Sequence, residues 1–115
     1  MTENCVFCQI VARRMPANVV YQDEQVTAFT DRMPAAPVHL LIVPNRHITS
    51  LNRISEDDEQ LLGHLVIVAR KLAENYLISQ SGYRLILNTG ADAGQSVFHL
   101  HYHLMGGQRL PIVTK

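Results

Sequence analysis

Three histidines stand at alternate positions near the carboxyl end of the chain, in "QSVFHLHYHLMGG", which runs from Gln95 to Gly107. Single hydrophobic or aromatic residues separate His99, His101 and His103. Successive side chains of an extended strand point to opposite faces, so this spacing predicts three imidazoles on one face and apolar residues on the other. A strand residue rises about 3.3 Å, so neighbouring imidazoles would lie roughly 7 Å apart and could surround one tetrahedral group.

Three explanations fit this row of imidazoles. Neutral imidazole is a common ligand of zinc, copper and nickel. A ring nitrogen can also act as a nucleophile while a second histidine donates a proton. The third explanation is a strand whose outer face is polar by chance. The strict alternation, flanked by Gln95-Ser96 and Gly106-Gly107, favours a functional site.

The loop before the histidines is rich in hydrogen-bond donors. "NTGADAGQS", residues 88–96, contains two glycines, an amide at each end of the glycine-rich part and two hydroxyl groups. Glycines let backbone N–H groups approach a ligand, and a nest of such donors suits phosphate oxygens. A donor-rich loop that leads into an imidazole row indicates phosphoryl or nucleotidyl transfer, with the developing charge stabilised by fixed donors.

The only two cysteines, Cys5 and Cys8, form a C-x-x-C pair. In a reducing compartment this spacing indicates metal or redox chemistry before a structural disulfide. Two buried thiols at helical spacing can also pack as small hydrophobic groups. A thioredoxin-like role is disfavoured because the chain lacks the βαβ pattern that such a role requires.

The elements that position these residues can be read from hydrophobic periodicity. A short helix is expected within residues 5–14, and one long helix within 54–78, where Ser55 and Asp58 form its cap and the acidic cluster suits the helix dipole. Strands are expected over residues 19–22, 25–30, 39–44, 82–88 and 96–105. Strands in hairpins around one long helix favour an α+β fold with an antiparallel sheet.

Composition limits the class of protein. The 115 residues suit one domain, residues 1–115, and 47% of them are apolar. The formal net charge is zero, which disfavours nucleic-acid binding through the phosphate backbone but allows a pocket for one nucleotide. No run of 18 apolar residues occurs, so we expect a cytoplasmic protein that does not bind a membrane.

The sequence resembles the histidine-triad superfamily of nucleotide hydrolases and transferases. "HLHYHLM" matches its alternating histidine motif, and "CVFCQIV", "IVPNRHI" and "GYRLILN" extend the similarity over nearly the whole chain. The closing Gly106-Gly107 favours the branch of purine nucleoside phosphoramidases. The resemblance implies a five-stranded antiparallel sheet with one long and one short helix, and a homodimer whose sheets join into ten strands.

The resemblance also implies a reaction. The middle histidine, His101, would attack the α-phosphorus of a nucleoside phosphoramidate, and water would hydrolyse the resulting nucleotidyl-histidine to AMP or GMP. His103 and Ser96 match positions at the phosphate or the leaving group, and His99 completes the catalytic group. No cofactor is required for catalysis.

Nucleotide-binding positions carry over in the same way. Asp31 matches the acid that holds the ribose hydroxyls. The other positions that the resemblance places around the nucleotide are Phe7, Ile10, Phe29, Arg32, His39, Asn88, Gly94, Gln95 and Ser96. Arg32 departs from the aliphatic residue expected there, which changes the contact with the base.

Some members of the superfamily bind structural zinc. The matching positions here are Cys5, Cys8, His47 and His99, and four nitrogen and sulfur ligands are typical of a closed tetrahedral site. Such a site would join the short amino-terminal helix to the sheet.

Other functions compete with phosphoramidate hydrolysis. They are hydrolysis of dinucleoside polyphosphates, nucleotidyl transfer to another acceptor, a regulatory module that binds a nucleotide with incidental turnover, and a zinc-binding interaction module. The zinc-binding interaction module predicts that His101 and His103 can be removed without loss of function.

Overall fold

The structure is a computed structural model that describes residues 2–112. Five antiparallel strands form one sheet: β1 (Val19–Gln22), β2 (Val26–Thr30), β3 (Val38–Pro44), β4 (Tyr83–Leu87) and β5 (Tyr102–Gly106). The two helices are α1 (Val6–Val11) and α2 (Glu59–Asn75), and single 3-10 turns form at Thr2–Asn4, Leu51–Arg53, Glu56–Asp58 and Ala91–Ala93. The strand order is β1-β2-β3-β5-β4. The predicted α+β fold with five antiparallel strands is confirmed.

The sheet separates two apolar clusters because alternate residues of its strands face opposite sides. On one side, α2 packs against the sheet; the fully buried members of this cluster include Val26, Leu40, Ile42, Leu65, Leu100 and Leu104. On the other side, α1 packs against β2 and β3 through Phe7, Ile10, Phe29, Leu41 and Val43. Each fully buried Leu or Val side chain contributes about 1.5–3 kcal/mol relative to exposure. The smaller cluster fixes α1 beside the central strands.

The long helix is shorter than the sequence predicts. The α-helix covers Glu59–Asn75, and residues Glu56–Asp58 before it form a 3-10 turn. The predicted cap is present, since the backbone N–H of Ser55 donates to Asp58 Oδ2 at 2.9 Å. The helix ends before Leu77, whose φ of 62° is left-handed. Within residues 2–112, no helix is long and apolar enough to cross a membrane.

The last strand also differs from its prediction. Residues 96–101 do not join the sheet, and β5 begins only at Tyr102. The register that pairs Ile42 with Tyr102 would place Pro44 opposite Leu100. Proline has no N–H to donate, so the ladder stops there; the Leu100 N–H instead donates to the carbonyl of Ile48 at 2.6 Å. Only His103 therefore lies on the strand, and the histidines do not form one extended row.

The alternation of faces survives this change. Leu100 and Leu104 point into the cluster under α2, and Tyr102 packs against it. His101 and His103 face the α1 side, where their ring centroids are 5.1 Å apart. The sequence pattern predicted the faces correctly, but the ring centroids of these two imidazoles lie closer than the roughly 7 Å that the strand rise predicts.

Candidate functional site

The α1 side of the sheet contains an open cavity of about 610 Å³. Helix α1, the segment before β1, the end of β2, the loop after it and the segment before β5 form its walls. Its lining residues are Val6, Phe7, Ile10, Met15, Pro16, Ala17, Asn18, Phe29, Thr30, Asp31, Arg32, Met33, Leu41, Ser96, Val97, His101 and His103. Two predicted catalytic imidazoles thus meet an apolar slot and a carboxylate in one cavity of a size typical for small-molecule sites.

The proton on His101 is located by the backbone of the preceding histidine. Nδ1 of His101 lies 2.7 Å from the carbonyl oxygen of His99, and a carbonyl can only accept, so Nδ1 carries the hydrogen. The lone pair is then on Nε2. Burial lowers the pKa of His101, although its hydrogen bond to the His99 carbonyl and the nearby Asp31 oppose that shift. The ring is therefore neutral near pH 7, the form in which imidazole is nucleophilic.

A chain of hydrogen bonds determines the tautomer of His103. The Ala35 N–H donates to Nδ1 of His39 at 2.9 Å, so the hydrogen of neutral His39 is on Nε2. Nε2 of His39 lies 2.9 Å from Nδ1 of His103, which must accept. His103 therefore carries its own hydrogen on Nε2. Burial and the neighbouring rings of His101 and His39 lower the pKa of His103 to about 4, so at neutral pH it is an uncharged donor.

The residue Asp31 contributes the carboxylate of the cavity. Oδ1 accepts from the Met33 N–H at 2.8 Å, and Oδ2 lies 3.3 Å from Nε2 of His39. Asp31, His39 and His103 lie close enough to hold a metal ion. The donor pattern does not fit one, because the Ala35 N–H occupies the Nδ1 lone pair of His39 and leaves a hydrogen on the nitrogen that would have to bind the metal. We interpret this group as hydrogen-bonded.

Aromatic contacts form the apolar part of the cavity. The Phe7 ring meets Phe29 edge to face with centroids 5.3 Å apart, and it contacts His101 in the same manner at 5.1 Å. Phe7, Ile10 and Phe29 are all buried. They form a wall that continues to the ring of His101, so an aromatic ring placed against it would lie beside that imidazole.

A second group of side chains lies behind the cavity. Cys5 and Cys8, His47 and His99 present ligand atoms that all lie within 4.8 Å of one another. The Cys8 thiol is 3.2 Å from Nδ1 of His47 and 3.4 Å from Nδ1 of His99, and the Cys5 thiol is 3.4 Å from the same His99 atom. In tetrahedral zinc coordination, sulfur and nitrogen ligands would be about 3.6 Å apart, so a widening of a few tenths of an ångström suffices.

The chemistry of the donors also fits a metal ion. Nε2 of His99 donates to the Pro44 carbonyl at 2.8 Å, which leaves Nδ1 free to coordinate. Burial lowers the pKa of His99 to about 4, so this ring is neutral as a ligand must be. Burial and the adjacent Cys5 raise the pKa of the Cys8 thiol to about 11. A cation between the two sulfurs would remove that repulsion and allow both to be thiolates.

The predicted phosphate loop is partly structural. Gln95 is buried, and its side chain joins three backbone groups: Nε2 donates to the carbonyls of Thr49 and Val97, and Oε1 accepts from Gly90. Gly94 adopts a left-handed φ of 88°. Among the described residues around the cavity, Ser96 lines it, whereas Asn88, Gly94, Gln95 and His39 do not.

The structure brings eight of the predicted catalytic and nucleotide-binding residues together in the cavity, and the ring of His99 lies outside it, as do the four residues named above. Phe7, Ile10, Phe29, Asp31, Arg32, Ser96, His101 and His103 share the cavity. The His99 ring is fully buried in the cysteine–histidine group, and only its carbonyl contacts His101. Sequence reasoning missed the other lining residues, among them Met15, Asn18 and Val97, because no motif or spacing singled them out. The carbonyl acceptor of His101 was also invisible, because every residue has a carbonyl.

Comparison with known proteins agrees with this geometry. Residues 4–111 match the family described as "Scavenger mRNA decapping enzyme C-term binding". The "HIT family hydrolase from Clostridium thermocellum" is 50% identical, with a TM-score of 0.93 over 97% of this chain and 98% of that one. This chain belongs to the histidine-triad family.

Other histidine-triad proteins are nearly as similar. The "Purine nucleoside phosphoramidase" of Escherichia coli K12 is 48% identical over 110 residues, which cover 96% of this chain and 92% of that protein. The "HIT family hydrolase from Legionella pneumophila Philadelphia 1" is 44% identical, with a TM-score of 0.92 over 94% of this chain and 96% of that one. The resemblance to the histidine-triad superfamily seen in the sequence is therefore confirmed.

Proposed function

We propose that this protein hydrolyses purine nucleoside phosphoramidates through a nucleotidyl-histidine intermediate and releases AMP or GMP and an amine. The observation that carries the proposal is the His101–His99 hydrogen bond, which leaves the Nε2 lone pair of a neutral imidazole that lines a cavity with an apolar wall and a carboxylate. The similarity to a purine nucleoside phosphoramidase supports the same reaction.

The reaction has two displacements. In the first, Nε2 of His101 forms a bond to phosphorus while the bond from phosphorus to the amine nitrogen breaks, and the amine leaves with a proton from solvent while its nitrogen accepts a hydrogen bond from His103 Nε2. In the second, a water oxygen attacks phosphorus, the bond to His101 breaks with its electron pair returning to Nε2, and the water proton is released to solvent. A fixed donor at the leaving group contributes about 10²–10³-fold to the rate. No atom changes oxidation state, so the reaction needs no redox cofactor.

The lining of the cavity supports a position for each part of the substrate. The purine would lie against Phe7, Ile10 and Phe29, and the Asp31 carboxylate would accept from the ribose hydroxyls. Ser96, whose hydroxyl can donate, would contact the phosphate oxygens or the leaving group. Arg32 also lines the cavity and would contact the base or its surroundings. Each predicted residue that lines the cavity thus has a proposed role, and the other lining residues have none.

We further propose that Cys5, Cys8, His47 and His99 bind zinc. Their distances and tautomers support a closed tetrahedral site, and zinc there would be structural. It would join α1 to the segment before β5. Thiols that act as metal ligands must stay reduced, which is consistent with a cytoplasmic location.

The protein is also proposed to form a homodimer through strand β4. This strand lies at one edge of the sheet and pairs with β5 in regular register, whereas β1 at the other edge is short and its register is interrupted by a bulge. An irregular edge strand discourages further pairing, and a regular one permits it. Two such edges would make the ten-stranded sheet. Light scattering of the purified protein measures its mass in solution. We expect twice the mass of one chain, and the mass of a single chain would contradict the dimer proposal.

Release of AMP from adenosine 5′-phosphoramidate tests the central proposal. Wild-type protein and His64→Gln, whose change lies on α2 away from the cavity, should both release AMP, and His101→Ala should not. Diadenosine polyphosphate, tested as a separate substrate, distinguishes phosphoramidate hydrolysis from the rival hydrolysis of dinucleoside polyphosphates. Binding of AMP without release from either substrate would contradict the hydrolase proposal and favour a regulatory nucleotide-binding module.

A further inference from the structure

Helix α1 contributes to both sites of the protein. Cys8 lies in the helix, and Cys5 caps it by accepting from the Cys8 N–H at 3.4 Å, so both thiols belong to the amino-terminal turn. Phe7 and Ile10, from the same six residues, line the nucleoside cavity. One short helix therefore supplies two ligand atoms to the metal site and the apolar wall to the nucleotide site.

A six-residue helix depends on its surroundings. Helices shorter than about 12 residues are marginal on their own, because nucleation is unfavourable and few hydrogen bonds repay it. Helix α1 is held by its apolar contacts with Phe29, Leu41 and Val43 and by the contacts of its thiols with two histidines. Removing either set would leave the position of Phe7 and Ile10 less well fixed.

His99 makes a second link between the two sites. Its ring presents Nδ1 to the thiols, and its backbone carbonyl accepts from Nδ1 of His101. The Phe7 ring lies against both rings, with centroids 6.0 Å from His99 and 5.1 Å from His101. A shift of His99 would therefore move the acceptor that holds the nucleophile and the wall that holds the base.

We propose that metal occupancy and nucleotide binding are thermodynamically linked through α1 and His99. Metal bound by the four ligands holds α1 and the His99 carbonyl in the conformation that the nucleoside needs, so nucleotide affinity rises when zinc is bound. Linkage is reciprocal, so bound nucleotide raises zinc affinity by the same factor. His99 acts as a positioning residue. The inference rests on the zinc and nucleotide sites proposed above, and it does not require that the protein be an enzyme.

Calorimetric titration of the wild-type protein, zinc-loaded and then stripped with a chelator, tests the linkage. Adenosine is the first probe, because without a phosphate it is a weak zinc ligand and reports on the cavity alone; AMP is the second. We expect adenosine to bind about 5- to 100-fold more tightly to the zinc-loaded protein. Hydrogen exchange of Val6–Val11 should slow on zinc loading in the absence of nucleoside.

The reciprocal measurement makes the test specific. Zinc affinity, measured by competition with a chromophoric chelator, should increase with saturating adenosine by the same factor as adenosine affinity increases with zinc. Cys8→Ser should remove both effects, whereas His64→Gln, which alters a histidine on α2, should retain both. If Cys8→Ser does not fold, the comparison of zinc-loaded with zinc-stripped wild-type protein still tests the linkage.

The outcomes separate this inference from the function. Equal adenosine affinity with and without zinc overturns the linkage even if the protein binds zinc and hydrolyses phosphoramidates. Absence of zinc binding overturns the zinc proposal and the linkage together. If zinc raises adenosine affinity by the same factor by which adenosine raises zinc affinity, the linkage is supported even when the protein releases no AMP.

Discussion

Nε2 of His39 lies 2.9 Å from Nδ1 of His103, and the Ala35 N–H fixes the direction of that hydrogen bond by donating to the other nitrogen of His39. A backbone amide thus determines, through two rings, that His103 presents a donor. His101 presents a lone pair for a similar reason, because a backbone carbonyl occupies its Nδ1. The two neighbouring imidazoles thus present different groups at Nε2. Nδ1 of His101 donates directly to a backbone carbonyl, whereas Nδ1 of His103 accepts from His39, whose orientation is set by a backbone N–H.

Replacing His39 should slow the departure of the amine. His39→Leu removes the donor to His103, so His103 no longer favours the tautomer whose Nε2 hydrogen bonds the departing amine, and we expect kcat to fall by about 10²-fold with a smaller change in KM. His39→Gln, whose amide can donate, should recover part of the loss. Steady-state kinetics with a series of amine leaving groups would show the largest effect for the most basic amines. A loss that is equal across the series would contradict this role.

Replacing Asp31 should affect the ribose. Asp31→Asn removes the charged acceptor, so we expect KM for a ribonucleoside phosphoramidate to rise by about 10-fold, in line with the loss of a hydrogen bond to a charged group. The matched 2′-deoxy substrate should already be poor with the wild-type protein and should change little in the variant. If both substrates lose equally, Asp31 acts through His39 rather than through the ribose.

The stability of the β1–β2 turn should depend on pH through Asp23. Partial burial would raise the pKa of the Asp23 carboxyl, but hydrogen bonds from Tyr21, His64 and the backbone N–H groups of Gln25 and Val26 outweigh it and hold that pKa well below its usual range. A depressed folded-state pKa stabilises the protein above about pH 4 and loses that contribution as the pH falls through the folded pKa.

Asp23→Asn should therefore destabilise the protein most at neutral pH, and the difference from wild type should shrink below about pH 4. Urea unfolding at several pH values measures it. Glu24→Gln, at the exposed acid next to Asp23 in the same turn, is the control and should show little effect at any pH. A difference for Asp23→Asn that stays constant down to about pH 2 would contradict the linkage.

Replacing two different glycines with alanine should change the stability of the protein in opposite directions. A Cβ on Gly106 would lie 2.9 Å from Cδ1 of Ile78 and 3.3 Å from the Gly82 carbonyl, so Gly106→Ala should destabilise the protein by about 1–3 kcal/mol. Gly63, in the exposed face of α2, has nothing within 4 Å of an added Cβ. Gly63→Ala should stabilise by about 0.5–1 kcal/mol. Thermal unfolding compares the two, and a neutral Gly106→Ala would show that Ile78 gives way.

The sequence alone determined which residue types alternate and where helical and extended periodicity begin. The faces of Leu100, His101, Tyr102 and His103 follow from that alternation, and the strands and the two helices follow from spacing and caps. The cysteine–histidine set could be named because the resemblance supplied four positions far apart in the chain.

The tertiary structure decided what spacing cannot express. The last strand is short because Pro44, which the fold places opposite Leu100, has no N–H, and the sequence does not state which residues face each other. The tautomers of His101 and His103 depend on which backbone groups approach their rings. His99 was assigned to two sites by resemblance. The fold turns its ring to the thiols and its carbonyl to the ring of His101, because the side chain and the backbone of one residue can point in different directions.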